Sequence, residues 1–229
     1  MDIQVMDKGA FSWALVSLLP GEQFVSEAGA LFRASDNIDI DVTTRQKGTG
    51  GLFGGLKRML AAESFFFSTY TSRDQQSGEI GLAPTLQGEV AVIESDGSSQ
   101  WLCAGGSYLG SSADLALDTQ FQGLRGMLSG ESLSFLAASG QGPLLVTSFG
   151  RLNTIDLDGS LTVDTGHVVA FQDSLDYKVS KAGSSWIQSW LAGEGLVLNF
   201  SGRGTIFVQS HNPNEFGQAL GPMLPPRGS

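Results

Sequence analysis

Apolar and polar residues alternate along much of this chain with a period of two. In Ile38-Asp39-Ile40-Asp41-Val42 every second side chain is apolar and the residues between are carboxylates, so a strand here carries the two kinds on opposite faces. Short alternating or wholly apolar runs recur along the chain. They are broken by glycine and by Pro-Gly or Asp-Gly dipeptides, where glycine accepts positive φ at no steric cost. The pattern predicts many short strands and an all-β fold.

The strands fall into three diverged copies of one unit. Gly29-Ala30-Leu31-Phe32, Gly106-Ser107-Tyr108-Leu109 and Gly166-His167-Val168-Val169 each precede a second run that starts nine residues after the glycine, at Ile38, Leu115 and Leu175. Each is itself preceded by an apolar run and a turn dipeptide: Pro20-Gly21, Asp96-Gly97 and Asp158-Gly159. Extended runs on both sides of such a dipeptide predict a hairpin. A second half begins Met59-Leu60-Ala61-Ala62-Glu63, Met127-Leu128-Ser129-Gly130-Glu131 and Trp190-Leu191-Ala192-Gly193-Glu194, then continues as strand on both sides of Gly78, Gly142 and Gly204. Each module is therefore expected to hold about four strands in two hairpins. A unit this small cannot bury its apolar face alone, whereas three around a common pseudo-threefold axis share one core. The expected organisation is one domain over 1–229, with modules at about 5–88, 89–150 and 151–212 and a proline-rich tail at 213–229.

Composition supports many short strands and narrows the function. Thirty-one glycines in 229 residues suit many turns and close strand approaches. The formal charge of −10, from 13 Lys and Arg against 23 Asp and Glu, repels polyanions, so no nucleic-acid partner is expected. Cys103 is the sole cysteine, which rules out an intrachain disulfide and fits a reducing compartment. Met1-Asp2-Ile3-Gln4-Val5 lacks the basic and apolar regions of a signal peptide, and no window has the roughly 20 apolar residues of a spanning helix. A cytoplasmic protein is expected.

The run Gly50-Gly51-Leu52-Phe53-Gly54-Gly55-Leu56-Lys57-Arg58-Met59-Leu60, followed by Glu63-Ser64-Phe65-Phe66, resembles the most recognisable segment of a bacterial family of uncharacterised proteins. That family is related to yeast and mitochondrial proteins named for altered inheritance of mitochondria, and the likeness extends from about Val5 to Pro226. The resemblance implies three modules around a pseudo-threefold axis, each a double-stranded β-helix unit similar to a subunit of the tryptophan RNA-binding attenuation protein (TRAP-like). It supplies no established catalytic residues. The mitochondrial relatives are associated with inner-membrane organisation, which implies scaffolding. The RNA-binding relative uses a ring with a basic edge, from which this acidic chain departs.

Catalytic chemistry finds few candidates. His167 and His211 are far apart in sequence, Cys103 beside Trp101 and Leu102 suits a small core residue, and no Gly-x-Ser-x-Gly surrounds Ser107. Two His and one Cys are too few for the usual zinc sites. No enzyme activity, cofactor or metal is expected. The glycine-rich run with Lys47, Lys57 and Arg58 could cradle an anion through backbone amides, but it is not a P-loop, because Met59 stands where the magnesium-binding Ser or Thr would be.

A stronger pattern is the recurrence of apolar residues at matched places. Leu52, Phe53, Leu56 and Met59, with Lys57 and Arg58, have counterparts in Phe121, Arg125 and Met127 and again in Trp186 and Trp190. Exposed together, they would form an association surface; buried, they are a domain end cap. Glu63, Glu131 and Glu194 recur likewise. Converged on an axis they would call for a cation, and apart they would cap local backbone amides. The leading reading is a non-enzymatic scaffold or interaction protein that binds itself, a protein partner or, peripherally, a membrane surface. The alternative is a small-ligand or metal-ion binding module with its site between modules or on the axis.

Overall fold

The computed structural model describes residues 1–43, 67–73, 76–122, 133–181 and 196–225. The first third contains β1 (Asp2–Met6), β2 (Trp13–Leu18), β3 (Gln23–Glu27), β4 (Leu31–Ala34), β5 (Ile38–Thr43), β6 (Phe67–Ser72) and β7 (Gly78–Leu82). The second contains β8 (Val90–Asp96), β9 (Trp101–Ala104), β10 (Tyr108–Ser112), β11 (Ala116–Gln122), β12 (Leu133–Ser139) and β13 (Gln141–Thr147). The last contains β14 (Leu152–Asp164), β15 (Val168–Gln172), β16 (Leu175–Lys181) and β17 (Leu196–Gln209). A helix, α1 (Pro213–Leu220), follows; the Asn212 side chain caps it and Pro213 fits its first turn, where a missing N–H costs nothing.

All named strands pair antiparallel, in three sheets. The orders are β1-β2-β7-β4, then β5-β6-β3-β10-β13-β8, then β11-β12-β9-β15-β17-β14 with β16 added to β17. The turn dipeptides do not make hairpins as expected. β2 pairs with β7 while β3 pairs with β6, so Pro20-Gly21 carries the chain from one sheet to the next. Asp96-Gly97 does the same between β8 and β9. At Asp158-Gly159 there is no break: β14 runs straight through and pairs with β17 over its whole length, with Gly159 opposite Gly202. Both glycines have positive φ, +136° and +116°, which lets a continuous two-stranded ribbon bend where the earlier copies turn a corner.

The pairing pattern recurs along the chain. β2/β7, β8/β13 and the first half of β14 with the second half of β17 are equivalent. So are β5/β6, β11/β12 and β16/β17. Each of β4, β10 and β15 meets its partner with the same one-residue bulge, at Phe32, Leu109 and Val169.

Three buried clusters lie between these layers. Ala14, Val16, Ile80 and Leu82 of the first sheet meet Phe24 and Tyr70 of the second. Tyr108, Leu144 and Val146 of the second meet Trp101, Cys103 and Leu136 of the third. Leu102, Phe135, Phe171 and Ile206 pack on Leu198 and Phe200 across the bent third sheet. In the proline-rich tail, Phe216 of α1 lies 5.2 Å from the Phe149 ring and docks the segment.

Candidate functional site

Most residues singled out from the sequence lie outside the described residues: Leu52, Phe53, Leu56, Lys57, Arg58, Met59, Arg125, Met127, Trp186 and Trp190, with the acidic set Glu63, Glu131 and Glu194. Phe121 lies in β11, opposite Ser134 of β12. All three segments connect equivalent strand pairs, bounded by Thr43 opposite Phe67, Gln122 opposite Leu133, and Lys181 opposite Leu196.

The residues weighed for catalysis are engaged structurally. Cys103 is fully buried in the middle cluster, and burial pushes its thiol up to about 12. His167 Nδ1 lies 2.8 Å from the Gln209 carbonyl, and the His211 ring packs against Phe149. Among the described residues no group of three His, Cys, Asp or Glu is placed to hold a metal ion.

Two features stand out. The first is a joint between successive copies. β10 pairs with β3 at Gly110–Ser26, Ser111–Val25 and Ser112–Phe24. β15 pairs with β9 in the same register, at Ala170–Cys103, Phe171–Leu102 and Gln172–Trp101. Close approach shapes the first of these: a Cβ on Gly110 would meet the Phe24 ring at 2.5 Å and the Val25 carbonyl at 2.8 Å.

The third joint in this register would set Arg33 opposite Val163, Ala34 opposite Thr162 and Ser35 opposite Leu161. It is not made. β4 ends the first sheet and β14 ends the third, so among the described residues the sheets follow one another in a linear series. Burial follows the pairing. Leu109 and Val169 are 1% and 0% exposed, but Phe32 at the same position is 54% exposed. Arg33, Ala34 and Thr162 are also exposed, whereas Gly110, Ala170, Ser111, Phe171, Val25 and Leu102 are buried. Phe32 stacks edge-on against Trp13, with the Arg33 guanidinium 5.8 Å from the Trp13 ring.

The second feature is a cavity of about 330 Å³ where the turn after β3, the segment after β7, the turn before β10 and the ends of β13 and β17 meet. Most polar side chains in its wall are already committed. Ser107 Oγ lies 2.7 and 2.6 Å from the Ala104 and Val169 carbonyls, between which its one proton is shared. Ser148 Oγ is hydrogen-bonded around Glu89 and Gly150. Gln209 joins the Phe149 amide to the Gly166 carbonyl. Sequence reasoning did not find this cavity, because its walls come from segments far apart along the chain.

The observations define a class: an all-β protein of several antiparallel sheets, joined by a recurring strand-edge contact. The chain belongs to the Mitochondrial biogenesis AIM24 family, which it matches over residues 3–211. It is 30% identical over 216 residues to an uncharacterized protein of Streptococcus pyogenes serotype M6, covering 92% of this chain and 86% of the relative. It is also similar to the X-ray crystal structure of a Streptococcus pyogenes protein, with a TM-score of 0.81 and 29% identity over 97% of this chain and 99% of the other.

Proposed function

We propose that this protein is a non-enzymatic cytoplasmic scaffold whose copies associate end to end, β4 of one against the outer half of β14 of the next. The supporting observation is the joint itself, made twice inside the chain and left half-made at each end. One end of each chain presents β4 at a sheet edge and the other presents β14 at a sheet edge, and an end of each kind would together complete a sheet like the internal ones. Adding a strand edge to edge uses main-chain groups for affinity and side-chain fit for register. Covering Phe32 would contribute about 1 kcal/mol beyond the backbone bonds. Such a contact is heterologous, giving rings if the rotation closes and open filaments if it does not.

Arg33 occupies the place of Gly110 and Ala170, and a charge on an edge strand limits indiscriminate pairing. It makes the contact weak and register-dependent. The apolar segments around Phe53, Phe121 and Trp186 remain a second proposed contact surface, for a partner or a membrane.

Sedimentation velocity over a concentration series tests the proposal. The wild type should show mass-action growth beyond the monomer. Ala34→Asp, exposed in one copy but buried in a joint, should stay monomeric with unchanged melting temperature. A wild type that is monomeric at every concentration would overturn the proposal.

A further inference from the structure

Two polar groups in the wall of the 330 Å³ cavity have no partner among the described residues. The Thr147 hydroxyl is buried and unbonded, although Thr147 is only 7% exposed. The Glu27 carboxylate, half-buried at the end of β3, forms no ion pair or side-chain hydrogen bond; only its backbone carbonyl is used, by the Ala30 amide and Ser26 Oγ. An orphaned buried hydroxyl is destabilising, and a desolvated carboxylate without a counter-charge is more so. Their polar neighbours Ser107, Ser148 and Gln209 are already engaged with other groups. The remaining surface is mixed, with the apolar side chains of Leu86, Leu109, Phe149 and Pro213 beside polar groups.

We infer that this cavity binds a small organic cation, with an ammonium or amidinium group on Glu27, a polar atom on Thr147 and a short apolar body against Leu86 and Phe149. The charge choice follows from the wall: among the described residues Glu27 is its one ionisable side chain, and its charge favours a cation over an anion. Burial raises the Glu27 carboxyl above its ordinary value, so a cation gains by relieving an existing penalty. The volume suits a ligand of one ring or a short branched chain; a nucleotide or peptide would not fit. This site does not depend on end-to-end association, since every group in it belongs to one chain.

Amide NMR titration of the full chain with three probes of one shape, benzylamine, benzyl alcohol and benzoate, tests the inference. Benzylamine should shift amides around Glu27, Gly106 and Thr147, with benzyl alcohol at least about tenfold weaker and benzoate silent, as a charge-assisted contact requires. Glu27→Gln should erase the preference for the amine. Thr147→Val, which removes the hydroxyl at nearly constant volume, should weaken benzylamine by less. Glu94→Gln, on the exposed face of β8, should change nothing. Equal binding of amine and alcohol, unchanged amine binding in Glu27→Gln, or no shift at these amides with any probe would overturn the inference. A monomeric protein that binds benzylamine would leave this site standing while removing the assembly proposal.

Discussion

Glu27 and Cys103 show how far single residues can be read. Cys103, between Leu102 and Ala104, was legible as a small core residue because its neighbours are apolar and nothing nearby would activate a thiol. With the thiol pushed up to about 12, it should resist a disulfide reagent at pH 8 in the native state and react fully in denaturant. Fast native labelling would contradict its burial. Glu27 gave no signal, since Val25-Ser26-Glu27-Ala28 is an ordinary strand end, and its partner group Thr147 lies in a different copy. Its folded-state pKa is raised, so the charged form is penalised, fully above that pKa and not at all below the unfolded value. Glu27→Gln should therefore raise the melting temperature of the ligand-free protein at pH 7, and the gain should vanish as acid protonates Glu27. A lower melting temperature at pH 7 would show that the carboxylate has a partner.

At the scale of elements, periodicity located the strands but not their partners. Ile38, Leu115 and Leu175 all begin or adjoin strands as the nine-residue offset predicts, because alternation is a local property. Pairing is not local. Asp-Gly favours a turn, yet at Gly159 the cross-strand contacts of β14 with β17 override that preference, while Asp96-Gly97 and, in the first copy, Pro20-Gly21 mark passages between sheets. The joint has its own residue requirement. Gly110→Val should lower stability by about 1–3 kcal/mol through overpacking on Phe24 and the Val25 carbonyl, read as a lower urea midpoint. Arg33→Val, at the same register position on the open edge, should cost far less. Equal losses would mean that β4 is also covered within one copy.

For the whole molecule, the sequence suggested a recurring order of strands but not how the series of pairings ends. Matching glycines and apolar runs disclose copies, but a closed ring and an open series have the same sequence signature. The difference lies in whether β4 and β14 meet, which depends on small rotations at each joint. The candidate apolar and acidic residues were likewise visible as recurrences, in connections bounded by equivalent strand pairs. Removing the edge charge should strengthen the proposed contact, so Arg33→Ala should shift the sedimentation profile to larger species at equal concentration. An unchanged profile would separate Arg33 from the contact.

The register of the contact can be trapped covalently. Arg33→Cys and Val163→Cys, prepared as separate proteins, mixed and mildly oxidised, would carry thiols directly opposite one another across the proposed joint, within the Cα separation a disulfide spans. The wild-type Cys103 is buried and contributes little background. The account predicts a disulfide-linked heterodimer on non-reducing gels, a ladder of multimers when both substitutions are in one chain, and neither when Asp39→Cys replaces Val163→Cys. A double variant that cross-links only within its own chain, or a mixture that yields no heterodimer, would contradict end-to-end assembly.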